Sequence, residues 1–217
     1  MKSIETWYSS YALLGAAAAG VIPILLPLTV SRTAGPAEVG MVMAAFSLGG
    51  LTAPLWGRLA DLHRLHRPLL AGGLIALAAG AAAVPEARSL AVLLGLAFLE
   101  GSGLASASTV AILFIVEAHP EREWDARIGW LQAFYAAGQV AGLLAAGAFG
   151  AGTSGSGLWV AGGLAAAALI PVLLGTPRIP AAPMVKRPAL ALAARHAEWP
   201  AGSPSRMYHH LRAGSLR

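Results

Sequence analysis

The chain has 217 residues, of which 57% are hydrophobic and only 12% are charged. Soluble domains carry about a quarter charged residues, so this composition excludes an ordinary soluble protein. The mean hydropathy of +0.66 and the 26 glycines are typical of a membrane protein, because glycine is frequent in spanning helices. The formal charge of +5 is carried between and after the apolar runs, which indicates basic inside loops and not a nucleic-acid-binding surface. The absence of cysteine excludes disulfides and cysteine-based metal sites.

Apolar runs of membrane-spanning length follow one another along the chain, separated by short polar links. The first run contains Pro23 and Pro27, so we expect a kinked spanning helix there. The run is too long for the apolar part of a cleaved leader, and only Lys2, against Glu5, precedes it. No charged residue occurs between 128 and 177, which is too long for one spanning helix, so we expect the glycine-rich residues 150–157 to divide it. The sequence therefore predicts six spans, at about residues 11–30, 39–56, 68–84, 89–116, 128–149 and 158–175.

The basic residues are distributed unequally between the two sides that six spans define. One side carries nearly all of them, whereas the other carries only Arg32 and Arg88. The positive-inside rule therefore predicts that the first side, with both chain termini, is cytoplasmic. The membrane that we expect is the plasma or inner membrane of the cell. Residues 176–217 are basic and rich in proline, which favours an unstructured cytoplasmic linker or tail. A short helix at 189–196 on the anionic inner leaflet is the alternative.

Residues 57–67 read G-R-L-A-D-L-H-R-L-H-R and lie between the second and third apolar runs, where we expect a short cytoplasmic loop with a glycine turn. The order G-x-L-A-D followed by basic residues resembles the loop between helices 2 and 3 of the major facilitator superfamily of secondary transporters. Gly57 and Asp61 match the family pattern G-x-L-A-D-R-x-G-R-R, whereas Arg64 stands where the family has its second glycine.

The resemblance implies that Asp61 belongs to a charge network that latches the two halves of a transporter on the cytoplasmic side. Arg67 and Arg127 are the basic partners that we expect for it, with Gly57 and Arg64 as further members of the latch segment. Alternatively, Asp61 caps the next helix through its carboxylate.

Two further patterns of the family are present in part. In the fourth span, R-x-x-Q-G-x-G stands as A-F-L-E-G-S-G, so Gly101 and Gly103 match but the arginine associated with proton coupling is missing. In the fifth span, Gly138, Gly142 and Gly147 fit the spacing of the antiporter pattern G-x-x-x-G-P-x-x-G-G without its proline. Small residues four apart let two helices approach closely, so we expect these glycines to be helix-packing positions.

Glu100 is the only charged residue inside a predicted span. It lies roughly 16 Å along its helix at about 1.5 Å per residue, which is near the bilayer midplane. A carboxylate is costly there, so the default interpretation is that it faces a cavity and marks a substrate or ion path. A hydrogen bond to a neighbouring helix, without a role in transport, is the alternative. Gln139 in the fifth span is a weaker candidate for the same path.

The sequence does not predict an enzyme, a cofactor or a metal site. All histidines lie in loops or in the tail and no lysine lies in a span, so a nucleophile such as Ser102 has no general base nearby. The acids of residues 117–125 are interspersed with arginines, which favours a salt-bridged loop over metal ligands.

We therefore expect an all-α integral membrane domain, in which the resemblance implies two inverted three-helix repeats equivalent to the N-terminal half of a major facilitator transporter. The resemblance also implies an efflux-type permease that works by alternating access against a second six-helix half, from the same full-length chain or another subunit. The alanine-, leucine- and valine-rich spans suit a small hydrophobic or amphipathic solute. A non-transporting six-span membrane scaffold or remnant is the alternative function.

Overall fold

The computed structural model describes residues 5–176, and the predicted tail after Thr176 lies outside them. The described part consists of helices and the links between them, without a strand, so the all-helical prediction is confirmed there. We number the six long helices in chain order: α1 Thr6–Val30, α2 Pro36–His63, α3 His66–Glu86, α4 Leu90–Ala118, α5 Trp124–Ala146 and α6 Ser154–Gly175.

Five of these six helices are long and apolar enough to cross a membrane, and the exception is α5. Helix α5 has 23 residues, which is sufficient length, but Gln132 and Gln139 lower its mean hydropathy. The structure therefore supports five spans among the described residues. The crossing of the membrane by α5 and the inverted-repeat arrangement stay predictions.

Helix α1 contains a wide turn instead of a continuous α-helix. A π-helical segment, Gly15–Val21, separates the α-helical segments Ser9–Leu14 and Ile22–Val30. Pro23 is the second residue after the π-helical segment. A proline inside a helix lacks an N–H group and crowds the carbonyl four residues earlier. A π-turn leaves room for that crowding. We expected the prolines to kink this span, and the structure shows a widened π-helical segment before Pro23.

Helix α2 is divided at residues 51 and 52 into the segments Pro36–Gly50 and Ala53–His63. Pro54 follows the break and has no N–H group for the carbonyl of residue 50. Next to it, the hydroxyl of Thr52 donates to the carbonyl of Gly49 at 2.6 Å. The break is therefore a proline effect. The Thr52 hydroxyl does not replace the lost donor, because the Gly49 carbonyl that it binds also accepts from the Thr52 backbone N–H.

The predicted loop at residues 57–67 was wrong in its extent. Gly57 and Asp61 lie inside the second segment of α2, and the connection to α3 is confined to Arg64 and Leu65. Arg64 supplies the reversal by adopting a left-handed backbone conformation, with φ of 53°. One glycine costs a helix only about 1 kcal/mol, which is too little to end a helix that is otherwise well packed.

Helix α4 packs against both α2 and α3 through glycines. At the crossing with α2, Gly49 faces Gly101, and a Cβ added to Gly49 would lie 2.6 Å from the backbone nitrogen of Ser102. At the crossing with α3, a Cβ added to Gly73 or to Gly103 would lie 2.5 Å from the carbonyl oxygen of the other glycine. Only glycine permits both approaches, so these positions fix the distances between the helices.

Helix α5 lies against α1 in the same manner, and α6 packs against α3 and α1. A Cβ added to Gly138 or Gly142 would collide with the carbonyl groups of Ala12 and Ala16 on α1. Gly147, by contrast, lies past the end of α5, and a Cβ there would approach only carbonyl groups of the preceding turn. Gly147 therefore makes no close approach to another helix, and its prediction as a helix-packing residue was wrong.

Helices α2 and α5 are the least covered members of the bundle. In the most apolar part of α2 only 11% of the residues are buried, against 61% in α1. Each of the two helices has one main neighbour, which is α4 for α2 and α1 for α5. On the other side they expose large apolar side chains, namely Met41, Leu48, Leu51 and Leu55 on α2 and Trp130, Val140 and Leu144 on α5.

Substitution of Gly101 by alanine tests the close crossing of α2 and α4. We expect Gly101→Ala to destabilise the bundle by about 1–3 kcal/mol, because the added methyl group overlaps the carbonyl of Phe46 and the helices must separate. Gly95→Ala, on the same helix with open space at its Cβ position, is the matched control. Reversible unfolding in mixed micelles measures both variants, and equal stabilities would contradict the crossing.

Candidate functional site

Glu100 lies on α4 against α3 and is 0% exposed. Its contact on α3 is Gly80, where an added Cβ would lie 2.5 Å from the Glu100 Cγ. Neither carboxyl oxygen has a hydrogen-bond partner within residues 5–176. Burial of a polar group without a partner costs free energy, so no stabilising contact explains this position.

The sequence suggested that Glu100 faces a cavity or makes a hydrogen bond to a neighbouring helix, and this conformation shows neither. The side chain is enclosed between α3 and α4 and does not face an open cavity, and it makes no hydrogen bond to a neighbouring helix. Gln139, the second path candidate, is half-buried on α5. Its backbone carbonyl oxygen would lie 2.9 Å from a Cβ added to Gly20 of α1. The two candidates thus lie at different helix interfaces, and the structure does not bring them together.

A polar cluster at the break of α2 joins this helix to α4. The hydroxyl oxygens of Thr52 and Ser102 are 3.0 Å apart, and the indole N–H of Trp56 lies 2.8 Å from the first and 3.1 Å from the second. Sequence reasoning missed this cluster. A threonine next to a proline break in an apolar run was the available signal, because a threonine hydroxyl in a helix bonds to a carbonyl of the preceding turn.

A second polar cluster, which we call the Glu5 network, connects the first residues of the described chain to α4 and α5. Arg127, which is buried, donates to Glu5 at 2.8 Å and to Glu123 at 2.8 and 2.9 Å. Glu5 also accepts a hydrogen bond from the Trp7 indole at 2.6 Å and lies 2.8 Å from His119 Nε2. A buried arginine held by two carboxylates is a strong, geometrically defined contact.

The partners that we predicted for Asp61 were wrong. Arg127 is engaged by the acids of the Glu5 network, and Arg67 donates from Nη2 to the carbonyl of Leu173 on α6 at 2.8 Å. The alternative role of Asp61 as a helix cap is not observed either, because the helix that begins at His66 has no side-chain cap.

The structure instead places Asp61 beside two side chains from other helices. One of its carboxylate oxygens, a ring nitrogen of His66 and a carboxylate oxygen of Glu117 all lie within 4.8 Å of one another. Gly57, one turn earlier on α2, faces α4, and a Cβ added there would lie 3.4 Å from Cγ2 of Thr109. The latch segment therefore contacts the end of α4.

The opposite end of the bundle carries an open cleft of about 560 Å³ between the α1–α2 and α3–α4 links. Its lining includes Glu38 from the first turn of α2, Glu86 from the end of α3 and Arg88 from the α3–α4 link. The cleft thus lies at the ends of the helices, away from the midplane position predicted for Glu100.

Removal of Arg127 tests whether the Glu5 network holds the bundle together. We expect Arg127→Ala to cost more stability than Arg122→Ala, a change of an exposed arginine in the preceding link, because it leaves two carboxylates without their cation. The double variant with Glu5→Gln should lose less than the sum of the single losses, with a coupling energy of about 0.5–3 kcal/mol. Strictly additive losses in micelle unfolding would contradict the network.

Comparison with known proteins identifies the family of the chain. No curated protein matches the sequence. The family model described as Major Facilitator Superfamily matches residues 8–208, which is most of the chain and includes all six helices from Tyr8 onwards. This match agrees with the resemblance found at residues 57–67. The chain therefore belongs to the Major Facilitator Superfamily, a family of membrane transport proteins.

Proposed function

We propose that the chain forms the N-terminal six-helix half of an efflux-type permease for a small hydrophobic or amphipathic solute. Membrane transport in general follows from the family. The observation that carries the proposal further is the buried, unpartnered carboxyl group of Glu100. A group held at such a cost within a span marks a functional site by default.

The proposed mechanism is alternating access, in which this half rocks against a second six-helix half. Movement of α4 relative to α3 would open the space beside Gly80 and bring Glu100 into contact with solute or ion. Ser102 points from the same helix towards α2, where the hydrogen bonds to Thr52 and Trp56 hold the other face of α4. On the side that faces α3, the Ser106 hydroxyl donates to the Leu69 carbonyl at 2.9 Å, whereas the Glu100 carboxyl group has no hydrogen bond among the described residues.

The exposed apolar faces of α2 and α5 support a second half as partner. Helix α2 packs mainly against α4, and α5 packs mainly against α1. On the side away from that neighbour, both helices expose large apolar side chains among the described residues. We propose that α5 is the sixth span, that the second half covers parts of both helices, and that lipid of the plasma or inner membrane covers the rest. The sequence supports cytoplasmic termini through the positive-inside rule.

Replacement of Glu100 by its amide tests the path residue. We expect Glu100→Gln to abolish solute export while insertion and abundance in the membrane stay unchanged. The amide keeps the size of the side chain but cannot ionise or exchange a proton as a carboxyl group does. Glu86→Gln, an exposed acid at the last position of α3, is the matched control and should export normally. The measurement is efflux of a lipophilic fluorescent dye from cells that produce the native gene product. Unchanged export by Glu100→Gln would remove the site and favour the scaffold alternative.

Replacement of Asp61 tests the proposed latch. We expect Asp61→Asn to shift the balance between inward-open and outward-open states without loss of expression, because it removes one charge from the contact between the ends of α2 and α4. The chain has no cysteine of its own, so single reporter cysteines on either side of the bundle can report accessibility to a labelling reagent. Asp125→Asn, an exposed acid in the first turn of α5, serves as control. Wild-type labelling on both sides would count against the latch.

A further inference from the structure

Three side chains of metal-ligating type meet where the ends of α2 and α4 lie beside the start of α3. They are Asp61 on α2, His66 on α3 and Glu117 on α4, and one donor atom of each lies within 4.8 Å of the other two. Nε2 of His66 is 3.3 Å from Oε1 of Glu117. The sequence did not predict a metal site, because Glu117 is far from the other two residues along the chain and is surrounded by arginine-containing sequence.

His66 is the central member of this cluster. It is only 4% exposed, and its Nε2 atom is buried without a hydrogen bond to any residue that the structure describes. The contact with Glu117 has the distance of an ion pair but not the geometry of a hydrogen bond. The imidazole ring packs edge-on against Phe114, with 5.7 Å between the ring centroids. A buried ring nitrogen, fixed in orientation and directed at a carboxylate, is thus available as a ligand atom.

We propose that Asp61, His66 and Glu117 bind a divalent transition-metal ion of the Zn²⁺ or Mn²⁺ kind, with water in the remaining coordination positions. One imidazole and two carboxylates suit such ions, whereas Mg²⁺ and Ca²⁺ prefer oxygen ligands alone. Ligand atoms at about 2.0–2.2 Å from one ion lie roughly 3–3.5 Å apart, a separation that His66 and Glu117 already have. Asp61 is exposed and therefore free to turn its carboxylate towards the ion.

A bound ion would connect three helices, of which α3 and α4 already contact each other through His66 and Glu117. It would neutralise the two carboxylates and hold the last turns of α2 and α4 to the first turn of α3. Asp61 would then be unable to bind a second half at the same time, so the ion would act on the latch segment. The site itself does not depend on solute transport and can be tested without it.

Zn²⁺ binding to the purified full-length chain in detergent micelles tests the proposal. The tail contains His196, His209 and His210, which can bind metal ions by themselves, so the measurement uses a background variant with alanine at these three positions. In this background we expect one Zn²⁺ per chain by calorimetry and a rise in the unfolding temperature with Zn²⁺. Mg²⁺ at the same concentration should leave the unfolding temperature unchanged. No binding in this background, or an equal shift with Mg²⁺, would overturn the site.

Variants of the ligands decide whether the bound ion lies at this cluster. Asp61→Asn and Glu117→Gln change exposed side chains, so both should fold, and each should weaken Zn²⁺ binding by at least about tenfold, the minimum cost of losing even an outer partner of a metal site. His66→Gln should weaken it further. His63→Ala, a change of an exposed histidine between Asp61 and His66 that is not a member of the cluster, should bind as the background variant does. Unchanged affinity in Asp61→Asn and Glu117→Gln would overturn the assignment.

Discussion

Close contact between helix backbones is the constraint on which the rest of this structure depends. Within a bilayer the apolar side chains gain little from leaving lipid, so helices associate through tight packing and through hydrogen bonds between them. In this chain, α4 lies between α2 and α3, with Gly49 opposite Gly101 and Gly73 opposite Gly103. The same device creates the position of Glu100, because the missing side chain of Gly80 leaves the space that the carboxyl group fills. A larger residue at position 80 would require α3 and Glu100 to separate.

The two ends of the bundle are built differently. The end with the starts of α1, α3 and α5 carries the Glu5 network and the cluster of Asp61, His66 and Glu117, which connect all helices except α6 through charged side chains. Helix α6 reaches the same end through the bond between Arg67 and the Leu173 carbonyl. The other end has an open cleft between two short links. A transporter half that rocks as one body requires cohesion of its helices, and the ion pairs and hydrogen bonds of the charged end contribute to it.

Much of the fold could be predicted from the sequence because long apolar runs and short polar links determine where spanning helices begin and end. The extent of the 57–67 segment could not, since a single glycine weakens a helix without ending it, whereas the left-handed Arg64 gives no signal in the sequence. The partner of Arg127 lies 122 positions earlier in the chain, at Glu5. The glycine spacing predicted close packing positions, but only the structure shows which helix each glycine faces, and that Gly147 faces none. Two glutamines lower the mean hydropathy of α5, so its composition alone does not show whether it spans the membrane.

The proposed function depends most directly on whether α5 crosses the membrane, because six spans would determine on which side the termini and the charged end lie and where the proposed second half packs. The chain contains no cysteine, so single cysteines can be introduced without background. Arg122→Cys lies before α5, and Thr153→Cys lies after it. With a membrane-impermeant thiol reagent on intact cells, the account predicts that Thr153→Cys reacts and that Arg122→Cys reacts only after permeabilisation. Labelling of both positions from the same side would contradict a spanning α5, and with it the assignment of this chain as a six-span transporter half.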